Sequence, residues 1–535
     1  MVLLAAVVSL LLARTFRFTF PSPAFAERTG RATLALAVGT ILLRLVLLPW
    51  YPIPVPSGAD DFGYWLLADT LRHLRLANPP HAFPEFFEQI FVLQRPTYSS
   101  MFNLGQGIAL AIGWILFGHP WAGVLISGAA LSAGCYWTLR GWTTPGWALT
   151  GGTIAAMEFG PLSYWTNSYW GGAVSACAGC LVFGALPRWN TNRHGRYALL
   201  LGLGLALQLV TRPFEFLLLV GAVALALPWL SGGRARLVLI ATPVIAGAGC
   251  LIALQNKAVT GSWTTTPYLA YRDQYGVPAT FTFQRNPIPH QPLNGEQQLD
   301  YEAESAIHGT ASESLGAYIR RFCFRLRFYR FFLLPPLYLA ALAFLLQIRT
   351  YRQLSIALSI ILFAAGSNFY PYFYPHYVAA IAPLFLLMSV EGLRKIDTWR
   401  PAAGALLLLC GGYFLFWYVV RVSSHEALAS YESWDFINWG DPQGRIAIAQ
   451  AVDRTPGNLL VFVHYAPGHA FSEWIHNAAD IDSSRVVWAR DLGDTENRRL
   501  RQHYPERRVL LCEPDATPPR IREYVLQNGP FEEVR

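Results

Sequence analysis

Two adjacent carboxylates, Asp60 and Asp61, open the stretch ADDFGYWLLADTLRHL. A carboxylate in such a place can take the proton of an attacking hydroxyl, and it can also help to bind a metal ion. The helix dipole alone favours acidic residues at a helix start. One of them satisfies that preference, and a pair set behind the Pro- and Gly-rich lead PIPVPSG exceeds it. Ser57 or Asp60 can cap the helix. Phe62, Trp65, Leu66, Leu67, Leu71 and Leu74 then give it the apolar positions of an amphipathic helix at an interface, with Tyr64 beside the acids as a candidate substrate contact.

The elements that must hold this pair are membrane spans. Only 14% of the 535 residues are charged, against roughly 25% in an ordinary soluble domain. That deficit excludes a nucleic-acid-binding protein, a disordered chain and a typical cytosolic enzyme. Residues 1–422 hold 29 basic and 16 acidic residues, whereas residues 423–535 hold 12 and 17, so an apolar basic body is followed by an acidic tail of soluble composition. Apolar runs near the ~20 residues that cross a bilayer recur through the body. They lie near 32–50, 120–139, 145–160, 170–187, 197–211, 213–230, 236–255, 331–347, 353–369, 376–391 and 402–420. The opening run Val2 to Leu12 has the length of a short twelfth span, an interfacial helix or a signal-like apolar segment, and without a clear small-residue cleavage site after it, it is expected to stay in the mature chain.

The positive-inside rule decides what the apolar run at 101–117 does. If it lies along the membrane surface, Arg14, Arg17, Arg28, Arg31, Arg140, Arg188, Arg193, Arg196, Arg234, Arg236, Arg349, Arg352, Arg394, Lys395 and Arg400 share one side. The opposite short loops, 161–169 and 370–375, hold no Lys or Arg. A spanning 101–117 would flip every later loop, so a juxtamembrane helix is expected there. Segments 51–100, 256–328 and the tail then lie outside, together with a basic cluster from Arg320 to Arg330 suited to anionic lipid head groups.

Other candidates cluster at the outer ends of spans. Arg212 and Glu215 in QLVTRPFEF are charges at membrane depth, either a snorkelling pair or a phosphate or sugar contact. Glu158 precedes FGPLSYWTNSYWGG, where Tyr164, Trp165, Asn167, Tyr169 and Trp170 suit an aromatic belt or sugar stacking. The loop NKAVTGSWTTTPYLAYRDQYGVP offers Tyr268, Tyr271 and Arg272, and His376 tops a span as a structural or ligand-facing group. Cys177 and Cys180 form a CxxC inside an apolar run, where helix packing outweighs redox or zinc chemistry.

An acidic pair after the first main span, a horizontal helix DDFGYWLLADTL, an NPPH turn, a second horizontal helix and a bundle ending in an outer domain resemble the C-type (GT-C) membrane glycosyltransferase superfamily. The aminoarabinose transferases and protein O-mannosyltransferases are the most similar branches in pattern. The resemblance implies inverting transfer of a sugar from a polyprenyl-phosphate carrier to a glycan, lipid or protein acceptor on the outer face of a bacterial cytoplasmic membrane. It implies a first-loop carboxylate as base, with Asp61 slightly favoured over Asp60 by motif position. A divalent cation is needed in some branches and not in others. Relatives place a Lys or His beside a proline at the start of the second horizontal helix, where this chain has Met101 and Leu104; Arg95, six residues upstream, is the nearest cation. A lipid-linked-sugar transporter or an inactive relative would share most of these features.

The fold expected is therefore an α-helical polytopic membrane domain of 11 to 12 spans over 1–422 with a small outer α/β domain over 423–535. In that tail NLLVFVHYAP, RVVWARDL and RRVLLCEP read as strands, and segments around FSEWIHNAAD and TENRRLRQHY as helices. A ligand at the strand ends would meet His464, Tyr465, Asp491 and Glu513.

Overall fold

The computed structural model describes residues 23–56, 58–277, 279–309, 313–399, 402–423, 444–469 and 472–524. The Val2 to Leu12 run and Ser57 lie outside them. The body is helical: α1 (Pro23–Glu27), α2 (Thr29–Leu45), α3 (Ala59–Arg72), α4 (Leu104–Phe117), α5 (Trp121–Leu139), α6 (Pro145–Glu158), α7 (Ala173–Asn192), α8 (Gly195–Thr211) and α9 (Pro213–Ala226). It continues with α10 (Arg234–Thr260), α11 (Pro267–Tyr275), α12 (Gly295–His308), α13 (Leu315–Arg325), α14 (Leu337–Leu346), α15 (Tyr351–Ser367), α16 (Ala382–Trp399) and α17 (Ala403–Ser423).

Each of the eleven apolar runs overlaps one of these helices. Among the described residues four helices are long and apolar enough to cross a bilayer singly, five if a bent pair counts as one, and four shorter apolar helices accompany them. The run expected at 331–347 is the bent pair: Pro335 and Pro336 stop the chain from continuing as one helix, and the axis turns by 111°. Other boundaries are written locally. Pro145, Pro213 and Pro267 open α6, α9 and α11, where their missing N–H costs nothing. Thr350 with Gln353 and Asn294 with Gln297 form capping boxes.

Helix α3 starts after Gly58, with no side-chain cap from Asp60, and carries Asp60 and Asp61 in its first turn. One of its faces, Tyr64, Leu67 and Ala68, packs with Leu104, Leu110 and Ala111 of α4 and with Trp121 and Val124 of α5. The approach of α4 to α5 is tight: a β-carbon on Gly113 or on Gly123 would overlap the opposite backbone.

The tail contains α18 (Arg445–Arg454), β3 (Leu459–Val463), β4 (Val486–Arg490), α19 (Asp494–His503), β5 (Arg508–Glu513) and β6 (Arg520–Glu523), after the short strands β1 (Val92–Leu93) and β2 (Ser99–Ser100) of the first loop. Its sheet runs β4-β3-β5-β6, with β3 parallel to β4 and β5, and β6 antiparallel at the edge. The helix expected around FSEWIHNAAD is not formed: described residues 472–478 have no regular secondary structure. Side chains have taken the amide groups that a helix would use. Glu473 accepts the N–H groups of Ile90, Trp474 and Ile475, and Asp69 accepts that of Ala479.

One sheet face shares a hydrophobic core with the first loop. Leu460, Phe462, Val487, Ala489 and Leu511 pack with Leu66, Phe86, Phe87, Val92 and Tyr98. Phe86→Ala is expected to cost about 3–5 kcal/mol and to loosen both parts together. Limited proteolysis of the solubilised protein should show cleavage rising in the first loop and in the tail, and a rise in one alone would contradict the shared core.

Candidate functional site

The acidic pair splits into two environments. Asp61 is 1% exposed and accepts the backbone N–H of Tyr169 at 3.0 Å. Asp60 keeps partial exposure but lies in a poorly hydrated recess, and burial, reinforced by the charge of Asp61 and Glu304 and opposed by Arg212, pushes its carboxyl up to about 7. The two neighbours thus differ in setting: Asp61 is tied to the backbone, and Asp60 keeps part of its surface accessible.

Around Asp60 loops and helix ends converge. Arg212, at the α8–α9 break, pairs with Glu215 at 3.5 Å and lies over the Tyr377 ring at 4.9 Å. Tyr64 stacks on Phe102 at 4.2 Å and is within electrostatic reach of Arg212, Asp60, Glu215 and Tyr268. Trp170 meets His376 edge-on at 4.8 Å and Tyr374 at 5.4 Å, and Tyr374 senses the charges of Asp60 and Glu304. His376 is itself held by Tyr164, whose hydroxyl lies 2.9 Å from Nδ1.

Arg272 is the most distinctive cation. It is 8% exposed, its guanidinium lies 4.7 Å from the Tyr268 ring centre, and Nη1 donates to Thr280 Oγ1 at 2.8 Å. Its Nε and Nη2 are buried without a hydrogen-bond partner among the described residues. Those two groups form the edge with which arginine grips a phosphate or carboxylate through two parallel hydrogen bonds. Tyr372 is within electrostatic reach of both Arg272 and Glu304.

Several of the predicted contacts sit elsewhere. Tyr271 is core, stacked on Tyr275 at 4.4 Å and packed with Leu93, Met101, Val259 and Val277. Met101 belongs to that same apolar cluster, which explains why this position carries no cation. Arg95 is exposed near Glu88, and its carbonyl accepts from Gln274. Glu158 is buried in the bundle near Tyr338 and Cys410, with neither oxygen hydrogen-bonded. Tyr169 is structural, because its hydroxyl donates to the Pro54 carbonyl while its N–H holds Asp61.

The residues missed from sequence lie on α12. Glu296, Asp300 and Glu304 recur every four residues, which puts them on one helix face. Burial and the neighbouring charges of Glu304, Glu296 and Asp60 push Asp300 up to about 8, and burial pushes Glu304 up to about 7. Glu296 pairs with Arg490 of the tail at 2.9 Å. The four-residue period was visible in GEQQLDYEAES, but a period of acids alone is also that of a solvated face.

A metal would need converging donors. Among the described residues one set of His, Cys, Asp or Glu converges at ligand spacing, His81, Asp482 and His503, with their atoms within 4.8 Å of one another. His81 Nδ1 accepts the Phe83 N–H at 2.9 Å, so Nε2 carries the proton that it shares with Asp482. A metal-bound histidine normally donates its second N–H instead, and this donor set does not fit a cation. The carboxylates around Asp60 interact electrostatically without converging to that spacing.

No family model matches the sequence, and no curated protein matches it. Solved structures do. ArnT from Cupriavidus metallidurans bound to undecaprenyl phosphate matches with a TM-score of 0.52 at 10% identity, over 90% of this chain and 92% of that one. Its apo form matches with a TM-score of 0.51 over the same shares. This chain has the GT-C fold. A zinc and sulfate complex of the Archaeoglobus fulgidus oligosaccharyltransferase also matches, with a TM-score of 0.48 at 12% identity, over 90% of this chain and 67% of that chain. Within this fold Asp60 of the first loop comes within electrostatic reach of Glu304 on α12 and Arg212 at the α8–α9 break.

The buried Asp300 makes stability depend on pH. Its folded value near 8 stands above the ordinary aspartate value, about 3.9. The protonated form is therefore favoured by folding, and its stabilisation is complete below that ordinary value and lost as pH rises through 8. Asp300→Asn should match wild type in thermal unfolding near pH 4 and exceed it at pH 8. A variant less stable than wild type at the higher pH would contradict the buried-charge account.

Proposed function

We propose that the protein is an inverting membrane glycosyltransferase that moves a sugar from a polyprenyl-phosphate carrier to an acceptor hydroxyl. The observation that carries this reading is a half-buried carboxylate, Asp60, within electrostatic reach of Arg212 and Glu304, with the unsatisfied fork of Arg272 over Tyr268, a ring within reach of Tyr64 on the same helix as Asp60. The fold adds support, since ArnT, which shares it, was solved with undecaprenyl phosphate.

In this reading Asp60, rather than Asp61, is the general base. The acceptor oxygen attacks the anomeric carbon as its proton passes to Asp60, and the bond from that carbon to the phosphate oxygen breaks on the opposite face. The electron pair leaves with the carrier phosphate, which Arg272 grips through Nε and Nη2 while Arg212 adds charge. Arg272 thereby supplies the cation that position 101 lacks. Asp61, fixed by Tyr169, orients the helix start, and its charge adds to the burial that raises Asp60 to about 7. Tyr268, Tyr374 and Trp170 offer ring faces to the sugar. No step is routed through a metal. The reading includes a multi-pass body over 1–422 in a bacterial cytoplasmic membrane, with 423–535 as an outer α/β unit.

Asp60→Asn is expected to lower sugar transfer in membranes by about 10²- to 10⁴-fold with carrier-lipid binding retained; transfer at the wild-type rate would overturn the assignment. Asp61→Asn removes a negative neighbour, so the acid limb of the rate profile should move below the value near 7 set by Asp60. An unmoved limb would mean that another group titrates.

Arg272→Ala should weaken carrier binding on the order of 10²-fold, as the loss of charged hydrogen bonds worth about 1.5–3 kcal/mol each implies. Arg272→Lys should restore only part of it, because an ammonium cannot reproduce the two-pronged grip. Full rescue by lysine would show that charge alone is read.

A further inference from the structure

Helix α13 and the turn after it, residues 326–332, form a face that the chain leaves open. Leu315, Ile319 and Leu326 recur at helical spacing and are 75%, 50% and 52% exposed. They make a continuous apolar stripe with exposed Cys323. Beside this stripe runs a cationic edge of Arg320 and Arg327, the latter with its guanidinium 3.8 Å from the Phe324 ring.

The opposite side of α13 is firmly held. Tyr318 donates to the Ala365 carbonyl at 2.8 Å and Arg321 to the Asn368 carbonyl at 2.7 Å. Arg325 donates to the carbonyls of Tyr370 and Pro371 at 2.8 and 3.0 Å. The open stripe is thus a fixed surface, and its direction is known from the 111° turn into α14. A helix turned so far from an apolar helix that enters the bilayer lies near the membrane plane. Leu342, Leu345 and Leu346 near the far end of α14 are exposed as well.

We propose that α13 docks on the bilayer, burying its apolar stripe among acyl chains while its arginine edge binds the phosphates of anionic phospholipid head groups. Charge complementarity selects this occupant: an apolar stripe flanked by arginines matches the boundary between acyl chains and anionic phosphates. The docked helix also braces the segment 365–371, which leads into Tyr372, Tyr374 and Tyr377 at the recess. The proposal does not depend on the reaction assigned to that recess, because its test reads lipid contact and not sugar transfer.

The full chain, carrying Cys250→Ser and a nitroxide on Cys323, is reconstituted in vesicles of phosphatidylcholine with or without phosphatidylglycerol. The label should be reached by oxygen and shielded from an aqueous nickel chelate when phosphatidylglycerol is present. Free access of the chelate in both compositions would overturn the docking. Native mass spectrometry should then show that R320E combined with R327E lowers retained phosphatidylglycerol on the order of tenfold and leaves retained phosphatidylcholine unchanged. Equal phosphatidylglycerol retention would overturn the anionic preference, and shielding of the label by a co-purifying protein instead of lipid would overturn the choice of occupant. Ile319→Asp should expose the label to the chelate even if the arginine variant fails to fold.

Discussion

The geometry of the recess depends on one buried guanidinium. Arg44 lies in α2 with no accessible surface, and a charge there is costly unless every donor is used. Nε donates to Asn167 at 2.8 Å, Nη1 to the Tyr51 carbonyl at 2.8 Å and Nη2 to the Pro52 carbonyl at 2.7 Å. The Tyr51 and Trp121 rings flank it at 4.6 and 4.8 Å. These bonds tie the exit of the first span to the 161–169 loop. The loop then returns the constraint through Tyr169, which holds Pro54 by its hydroxyl and Asp61 by its amide. Asp60 is therefore placed by a closed circuit of hydrogen bonds that begins at Arg44 and ends one residue away. Such a cation is bound too completely to serve a passing substrate, which argues against a polar path for transport through this part of the bundle.

The recess is electrostatically unfinished in a way that suits a ligand with phosphate and hydroxyl groups. Burial pushes Asp60, Asp300 and Glu304 up into the range near 7 to 8, and neighbouring acids add to the shift at Asp60 and Asp300. Arg272 keeps two buried donors unmet. An unmet buried donor costs about 1–3 kcal/mol, a cost of the kind that functional sites carry and structural cores avoid. A bound phosphate would satisfy the fork, and sugar hydroxyls would give the acids hydrogen bonds in place of mutual repulsion.

Much of the fold was legible because spans announce themselves through length and apolarity, and cations through the side they mark. The pair at Asp60 and Asp61 was legible for a similar reason, since adjacent carboxylates exceed what capping asks. Arg272 was visible only as one polar residue in a turn-rich loop; its significance comes from Thr280 and Tyr268 leaving one edge unmet, which no spacing encodes. Arg95 was favoured by proximity along the chain to Met101, and chain proximity says nothing about which side of a loop faces the recess. The helix expected at FSEWIHNAAD failed because Glu473 and Asp69 compete for its amides, and the partner Asp69 is 410 positions away in sequence.

That long-range competition bears on what the tail is for. Asp69 lies further along the same helix as Asp60, and its Oδ2 takes the Ala479 N–H at 2.6 Å. Phe62, next to Asp61, stacks on His476 at 4.6 Å, and His476 stacks in turn on Trp488 at 5.0 Å. Arg490 closes a second link by pairing with Glu296 on α12. The tail therefore grips both helices that carry the acids of the recess, α3 and α12. A unit added only for solubility would not bury its sheet against first-loop residues or commit a buried ion pair to α12. Its position suits it to fix the spacing between Asp60 and the Asp300–Glu304 face, the spacing on which mutual repulsion, and with it the readiness of Asp60 to accept a proton, depends.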